Sequence, residues 1–313
     1  MVLNGGFAYR EHVGKVDSGT TILDYLAARY GHSSRDLWRM RLEAGEVLLD
    51  GAPAGPYSIL KQGHSLVWRR PPWEEPQAPL GWAVLYRDGH ILAAAKPSGL
   101  PTLPGGGFLE HTLLSLVRKH YPEAVPVHRL GRGTSGIVLF ARTKQARSTL
   151  CQAFRKREVD KSYRALVVGV IPDDAFVVSI PIGPVPHPWL GSVHAVNPLG
   201  KEAVTRVRVL SRQGGRSIVE AHIETGRPHQ IRIHMAAAGY PLVGDPLYAV
   251  GGLPHPASTA CPGDCGYLLH AQRLRLRHPS TGAFLEVQCA PPPLLRTEGG
   301  GGHDGPPTNR DHR

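Results

Sequence analysis

The sequence predicts an α+β protein with two domains, and three observations support this fold class. The chain has 313 residues, of which 41% are hydrophobic and 19% charged, so it is globular and long enough for about two domains. After residue 82, strand-like and helical patterns alternate without the regular repeat of a doubly wound fold. A Pro-rich segment precedes them. We predict a lead-in at 1–17, a small domain at 18–72, a linker at 73–81, a large domain at 82–295 and a disordered tail at 296–313.

The small domain is predicted to be two short helices on a small sheet. Its lead-in has no clear period and is predicted to be irregular or a short strand. Thr21 to Asp24 reads as a capping box for the first helix, and Ser33 to Asp36 caps the second. In the second helix, Leu37, Met40 and Leu42 are predicted to face inward, and Arg35, Arg39 and Arg41 outward. Asp50-Gly51 predicts a tight turn between strands.

The large domain is predicted to mix strands and helices. The predicted strands are 83–86, 91–95, 136–141, 163–168 and 203–210, and the predicted helices are 111–118 and 145–154. The segments follow one another in an order that favours α+β over a parallel, doubly wound sheet.

Charge and cysteine content limit the classes of function. Thirty-six Lys and Arg against 25 Asp and Glu leave a net charge of +11 and a pI of about 9.7, which predicts a polyanionic partner, foremost nucleic acid. Four scattered cysteines favour a reducing cytoplasm over a disulfide framework. No stretch has the length of a signal peptide or membrane span, so we expect a cytoplasmic protein without a membrane partner.

Metal chemistry is not expected. Cys261 and Cys265, with His255 and His270 nearby, could be read as a metal site, but their spacing is not that of paired zinc ligands. The chemical motifs also hold no paired carboxylates or closely spaced histidines, which disfavours a metal-dependent nuclease or hydrolase.

The segment 127–141 is the most specific string in the chain. Gly131, Gly133 and Gly136 lie within six residues and would allow a backbone to approach a ligand closely. Arg129 and Arg132 offer planar cations that pair with phosphate or stack on a base. The alternative is a tight Gly-rich turn with incidental charge.

Two further strings carry polar and cationic groups. Residues 225–235 contain Arg227, His229, Gln230 and Arg232, and their spacing does not settle whether the segment is a strand or a helix. Residues 161–165 place the hydroxyl of Tyr163 among cations, where the ring could serve a site or fill a core edge.

In order, these strings resemble the RluA branch of the pseudouridine synthases. The family's HRL and TSG strings correspond to 128–130 and 134–136, K-x-Y-x-A to 161–165, TGR-x-HQIR to 225–232, and GD-x-x-Y to 244–248. This resemblance covers nearly all of residues 82–290. Residues 18–70 resemble an RNA-binding domain of the S-four type, first recognised in a small-subunit ribosomal protein; the alternative is an ordinary amphipathic pair of helices.

The resemblance implies the fold, the reaction and the site. The fold would be a mixed, mostly antiparallel sheet, and the reaction the isomerisation of uridine to pseudouridine in structured rRNA or tRNA, without cofactor or metal. Arg129 would fill the place of a uridine flipped from its stack, and Tyr163 would lie beneath the base and assist proton transfer. Arg232 would pair with the catalytic carboxylate. The expected RNA-binding residues are His128, Arg129, Arg132, Arg227, His229, Gln230, Arg35 and Arg39.

The sequence departs from this family at one position. Gly131 stands where the family has its catalytic aspartate, and a carboxylate facing an oxocarbenium-like centre is central to chemistry of this type. Asp245 and Asp160 are candidate substitutes, although each could instead be structural or a solvated charge. Three hypotheses follow: an enzyme with a relocated acid, an altered mechanism, or a catalytically silent RNA-binding protein. Without a carboxylate at 131, Arg232 would bind phosphate or ribose instead. A monomer is the default expectation.

Overall fold

The computed structural model describes residues 3–188, 190–256 and 259–297. The chain divides into two compact units, Met1–Glu75 and Pro76–Arg313. Most of the predicted tail, residues 298–313, lies outside the described residues.

The first unit is a four-stranded antiparallel sheet with two α-helices. Its elements are β1 (Phe7–His12), a 3-10 turn (Lys15–Asp17), α1 (Ile22–Arg29), α2 (Arg35–Glu43), β2 (Val47–Leu49), β3 (Ala52–Pro53) and β4 (Ser65–Arg70). The strand order is β1-β4-β2-β3. Strand β1 pairs with β4 along its whole length, from Phe7 opposite Arg70 to His12 opposite Ser65. Part of the segment treated as a lead-in is therefore a strand of this sheet.

Local capping begins both helices of this unit. The Thr21 hydroxyl accepts the Asp24 backbone N–H at the start of α1, and the Ser34 hydroxyl accepts that of Leu37 at the start of α2. Each bond satisfies a backbone donor that has no partner within the helix.

The inward face of α2 differs from the prediction. Trp38 and Leu42, one turn apart, are buried, whereas Leu37 is 38% exposed and Met40 is 65% exposed. The Trp38 indole takes the core position because it packs edge-on against the ring of Trp68, with ring centroids 4.9 Å apart. Placing the large indole inward rotates Leu37 and Met40 toward solvent.

Within its described residues, the second unit contains one large sheet, a separate hairpin and three α-helices. Its elements in order are β5 (Ala83–Arg87), β6 (Ile91–Lys96), α3 (Leu113–Arg118), β7 (Val125–Pro126), β8 (Ser135–Ala141), α4 (Lys144–Arg155), β9 (Asp160–Val168), β10 (Ala175–Ser179), β11 (Ile182–His187), β12 (Gly191–Val196), β13 (Val204–Gln213), β14 (Arg216–Ile223), α5 (Gln230–Ala237), β15 (Leu269–Arg277), β16 (Phe284–Gln288) and a final 3-10 turn (Pro293–Leu295).

The ten-stranded sheet is mixed and mostly antiparallel, which confirms the predicted α+β class. Its strand order is β10-β13-β14-β9-β15-β8-β6-β5, with β16 pairing to β15 and β7 to β8. The pair β15 and β8 is parallel, and the other pairs of this sheet are antiparallel. Strands β11 and β12 form the separate hairpin.

Two structural absences hold for the described residues. Within them, no helix is long and apolar enough to cross a membrane. In the same ranges, no three His, Cys, Asp or Glu side chains are grouped so as to hold a metal ion.

Candidate active site

Tyr163 lies in the middle of the large sheet, in a row that crosses four strands. It stands opposite Ala271 of β15, which in turn pairs with Gly136 of β8, and Gly136 pairs with Lys96 of β6. Tyr163 packs against two apolar clusters of the second unit. Burial raises the pKa of its hydroxyl to about 12, so the phenol is neutral at physiological pH. Among the described residues the hydroxyl has no hydrogen-bond partner, which leaves it free for a ligand.

Lys96 anchors the loop that precedes β8 through the Arg132 carbonyl oxygen. The ammonium group of this buried residue donates to the carbonyl oxygens of Pro97 (3.0 Å), Leu100 (2.6 Å) and Arg132 (3.1 Å). Burial lowers the pKa of Lys96 to about 7. The Ser98 hydroxyl adds a bond to the Gly133 carbonyl oxygen at 2.7 Å. These bonds tie the loop to Lys96 and Ser98.

Packing within the protein requires glycine at two positions of the segment 127–141. A Cβ at Gly133 would lie 2.9 Å from the ring of Tyr267. A Cβ at Gly136, whose φ is +108°, would lie 2.2 Å from the Ala271 carbonyl oxygen. The Gly-rich spacing is thus explained in part by the contact of this loop with Tyr267 and β15.

Residues 229–237 form the start and body of α5, which resolves the strand-or-helix alternative. The helix begins after His229, which has a left-handed φ of 56°, and its residues Gln230–Ala236 are buried. The Gln230 amide donates to the Val204 carbonyl and the Thr205 hydroxyl, and its oxygen accepts from the Thr225 hydroxyl and the Arg227 backbone N–H. Gln230 therefore fastens the preceding loop to β13, and its hydrogen-bonding capacity is used within the protein.

Arg232 projects from α5 into a buried ion pair with Asp245. Its Nε and Nη2 donate to the two carboxylate oxygens at 2.7 Å each, and both side chains are at most 2% exposed. Asp245 also accepts the backbone N–H groups of Leu247 and Tyr248. The carboxylate that pairs with Arg232 therefore comes from Asp245 and not from position 131. Asp245 is committed to this network.

Tyr267 joins this ion pair to the Gly-rich loop. The Arg232 guanidinium carbon lies 4.1 Å from the centroid of the Tyr267 ring. At the other end of the ring, the hydroxyl hydrogen-bonds the Thr134 hydroxyl at 3.2 Å. A Cβ built at Gly131 would lie 3.0 Å from the Tyr267 hydroxyl oxygen. The Tyr267 hydroxyl therefore borders the space that a side chain at position 131 would enter.

His229 extends the network on the far side of Arg232. Its Nδ1 lies 2.8 Å from the hydroxyl of Tyr248, which donates its proton to the His194 carbonyl oxygen, so Nδ1–H of His229 is the donor between the two side chains. Burial, reinforced by the charge of Arg232, lowers the pKa of His229 to about 3 and keeps the ring neutral. Its Nε2 remains an acceptor.

The other predicted residues of the loop differ in how far they are engaged. Arg129 is exposed and has no hydrogen bond or ion pair in the described part of the chain. The His128 ring stacks on Phe154, with 4.9 Å between centroids, and its Nε2 accepts the Leu139 backbone N–H, so it supports β8. Arg132 donates to the Gly263 carbonyl oxygen at 2.8 Å and is partly exposed.

The remaining predicted residues have partners within their own unit. Arg227 donates to the Glu202 carbonyl oxygen. Asp160 pairs with His222 at 3.1 Å and lies three residues before Tyr163 on β9, so the two side chains point to opposite faces of the sheet. In the first unit, Arg35 pairs with Asp24 at 2.8 Å and Arg39 with Asp36 at 3.4 Å.

Sequence reasoning missed Tyr267, Thr134 and Lys96 as parts of the site. Thr134 stands inside the family's TSG string and Lys96 within the span of the resemblance, but the sequence does not show that they hold the loop. No motif near Tyr267 in the sequence indicates its role, because its hydrogen-bond partner Thr134 lies 133 residues earlier in the chain.

A cleft of about 650 Å³ opens beside the loop but not over Tyr163. Its wall includes Trp82, Gly133, Ser135, Tyr267 and His270, and neither Tyr163 nor Arg232 belongs to it. The free hydroxyl of Tyr163 and the exposed Arg129 instead mark the candidate active site.

Comparisons with known proteins agree with this fold. The family model described as RNA pseudouridylate synthase matches residues 90–237. An uncharacterized RNA pseudouridine synthase of Synechocystis sp. is 42% identical over 278 residues, covering 88% of this chain and 96% of that protein. RNA pseudouridine synthase 5 of Arabidopsis thaliana is 36% identical over 351 residues, covering 94% and 95% of the two chains.

Less similar proteins also include pseudouridine synthases. The ribosomal large subunit pseudouridine synthase D of Neisseria meningitidis serogroup A is 34% identical, covering 89% of this chain and 76% of that protein. Among solved structures, human RNA pseudouridylate synthase domain containing 1 matches with a TM-score of 0.56 and 26% identity, covering 71% of this chain and 89% of that one. The fold is that of the pseudouridine synthases. The chain belongs to the RNA pseudouridylate synthase family, and its class of activity is isomerisation.

Proposed function

We propose that this chain converts uridine to pseudouridine in structured rRNA or tRNA, although position 131 has glycine where the resemblance places the family's aspartate. The observation that carries the proposal is the neutral Tyr163 hydroxyl, which is without a partner among the described residues and lies beside the anchored loop of Arg129. A ribosomal substrate is supported by the relatives named ribosomal large subunit pseudouridine synthase D.

The reaction requires a redistribution of bonds within one nucleotide. The bond between N1 and C1′ breaks, a bond between C5 and C1′ forms, a proton leaves C5, and N1 gains one. Tyr163 is suited to stack beneath the extruded base and to support the proton transfer at C5. Arg129 is suited to replace the base in its former stack, because its guanidinium is planar, exposed and unpaired in the described structure.

The first unit is proposed to be an S-four type RNA-binding domain. Support comes from two capped helices on an antiparallel sheet and from Arg41, whose guanidinium carbon lies 4.6 Å from the Trp38 ring and 4.4 Å from the Trp68 ring. We also propose that the protein acts in the cytoplasm as a monomer, where its scattered cysteines stay reduced.

The test maps pseudouridine in RNA from wild-type cells and from cells that lack the gene. Sites that disappear on deletion, return with the wild-type gene and stay absent with Tyr163→Phe would support the synthase. If no site is lost while the purified protein binds RNA in a salt-sensitive manner, the chain is a silent RNA-binding protein instead. Tyr240→Phe is a matched control, because that ring packs in the same core cluster but lies outside the proposed site.

A further inference from the structure

Both predicted replacement carboxylates are already paired within the protein. Asp245 is at most 2% exposed and accepts four hydrogen bonds, two of them from Arg232. Asp160 faces the other side of the sheet from Tyr163. A search for the group that acts in place of residue 131 therefore turns to the side chains around Gly131.

Tyr267 provides the polar group that lies closest to position 131. Its hydroxyl oxygen would lie 3.0 Å from a Cβ at Gly131, closer than the Thr134 hydroxyl at 3.6 Å. Gly131 itself is exposed and has no side chain, whereas Tyr267 is 3% exposed. The backbone of Gly131 is not in the left-handed region, so glycine is not required there by its conformation.

Three contacts fix the direction of the Tyr267 hydroxyl. The ring packs against Gly133, where a Cβ would come within 2.9 Å of it. The Arg232 guanidinium stacks 4.1 Å from the ring centroid, and Asp245 holds that guanidinium in place. The Thr134 hydroxyl lies 3.2 Å from the Tyr267 oxygen and is suited to accept its proton. Such preorganisation is what a group needs in order to stabilise charge that develops in a transition state.

We propose that Tyr267 is the catalytic residue that replaces the missing side chain at 131, presenting its hydroxyl oxygen across Gly131 to the ribose of the uridine. This inference rests on the proposed function. When the Tyr267 hydroxyl donates to Thr134, an oxygen lone pair points to C1′ as the bond from C1′ to N1 breaks and C1′ becomes electron-deficient. Tyr267 neither gains nor loses a proton in this role. The proton that leaves C5 and the proton taken up at N1 balance without it.

The pKa of Tyr267 agrees with a neutral role. Burial raises the pKa of this hydroxyl above its ordinary value, while the charge of Arg232 opposes the shift. The wild-type rate should therefore show no fall at acidic pH from titration of a carboxylate at position 131.

The experiment measures tritium release from uridine C5 by the full-length chain. The substrate is RNA from cells that lack the gene, labelled with tritium at C5 of uridine. Tyr267→Phe removes only the hydroxyl, and we expect kcat to fall about 100-fold while KM changes less than about threefold. Tyr240→Phe, from the same core cluster, should keep the wild-type rate. Thr134→Val removes the hydrogen-bond partner but keeps Tyr267, and it should lower kcat in the same direction.

A double variant separates a role in the reaction from a role in folding. In Gly131→Asp with Tyr267→Phe, the space of the hydroxyl is free for a carboxylate. We expect kcat to rise at least about tenfold over Tyr267→Phe and the rate to decline at acidic pH, as it would for a catalytic carboxylate. Gly131→Asp alone should stay below the wild type, because its Cβ crowds the hydroxyl. A structural role for Tyr267 would not produce this rescue.

Each contrary result has a distinct meaning. A wild-type kcat in Tyr267→Phe overturns the inference and leaves the proposed function standing. The same holds if Tyr267→Phe melts at lower temperature while Thr134→Val keeps the wild-type rate and the double variant shows no rescue. Absence of tritium release by the wild-type chain from every RNA fraction overturns the proposed function, and the assignment of Tyr267 falls with it.

Discussion

Burial makes the Arg232–Asp245 pair sensitive to the loss of either charge. Both side chains are at most 2% exposed, and the pair connects α5 to the turn at Leu247 and Tyr248. Removing one partner of a buried pair leaves an uncompensated charge, which is far more costly than losing a pair at the surface.

Asp245→Asn should therefore lower the free energy of unfolding by about 3–5 kcal/mol. The measurement is urea denaturation followed by circular dichroism. Glu220→Gln is the control, because it breaks the surface pair with Arg208, whose side chain is 66% exposed, and should cost at most about 1 kcal/mol. Equal effects of the two substitutions would contradict the importance of burial.

His128 shows how burial links stability to pH. Burial, with a smaller effect of the Lys161 charge, lowers the pKa of His128 to about 4 from its ordinary 6.5. As pH falls below 6.5, His128 becomes protonated in the unfolded chain. In the folded chain, it becomes protonated only at about pH 4. The stabilising contribution is therefore complete above pH 6.5 and is lost between pH 6.5 and 4.

We expect His128→Gln to flatten the pH dependence of stability in this range. The slope of the free energy of unfolding should decrease by about 1.4 kcal/mol per pH unit, the value for one proton. The glutamine oxygen can still accept the Leu139 backbone N–H that His128 binds. Thermal and urea unfolding between pH 7 and 4 provides the measurement, with the exposed His255→Gln as control. An unchanged slope in His128→Gln would refute the assignment.

At the scale of elements, the parallel pairing of β15 with β8 brings the site together. The pair is short, with His270 opposite Ser135 and Ala271 opposite Gly136. It places the loop that precedes β8 beside Tyr267, which precedes β15. The close approach depends on Gly136, where a Cβ would overlap the Ala271 backbone.

Gly136→Ala should disrupt this strand pair. A Cβ 2.2 Å from the Ala271 carbonyl oxygen and a φ of +108° both oppose the substitution, and we expect a loss of about 3 kcal/mol or more in stability. Hydrogen exchange should show the protection lost first in β8 and β15. Gly89→Ala, at a position with no atom within 4 Å of the added Cβ, is the matched control. Normal protection of β8 in Gly136→Ala would argue against this packing.

Across the whole molecule, the positive charge is unevenly distributed. Residues 1–75 contain nine Lys and Arg and nine Asp and Glu, so the entire excess of +11 belongs to residues 76–313. Any RNA binding by the first unit must then come from local cations, whereas the second unit attracts RNA through its net charge. Arg155 and Lys156, at the end of α4, are exposed and have no ion-pair partner among the described residues.

Replacing Arg155 and Lys156 by Gln should weaken RNA binding and reduce its salt dependence. If both contact phosphates, the slope of log affinity against log salt should fall in magnitude by about 1.4–1.8. Fluorescence anisotropy over a range of salt concentrations measures this slope. The control is the double variant Arg206→Gln with Arg208→Gln, which removes two cations already paired with Glu224 and Glu220. It should change the slope less. Identical slopes for both double variants would reject the contribution of α4.

Local signals in the sequence determined several elements and the family. Thr21 and Ser34 cap the predicted helices, and the turn at Asp50 and Gly51 joins β2 to β3 with a positive φ at both residues. These features depend on bonds that span only a few residues. The family strings, in their order, likewise predicted the pseudouridine synthase fold and identified Tyr163 and Arg232 as candidate site residues.

Tertiary structure decided how those residues are used. It made residues 230–237 a helix, turned Trp38 instead of Leu37 and Met40 inward, gave Arg232 the carboxylate of Asp245, and placed Tyr267 against Gly131. Each outcome depends on side chains that meet only when the sheet register is formed. Hydrophobic periodicity and capping act within a turn or a strand, so they carry no information about contacts between separate segments of the chain.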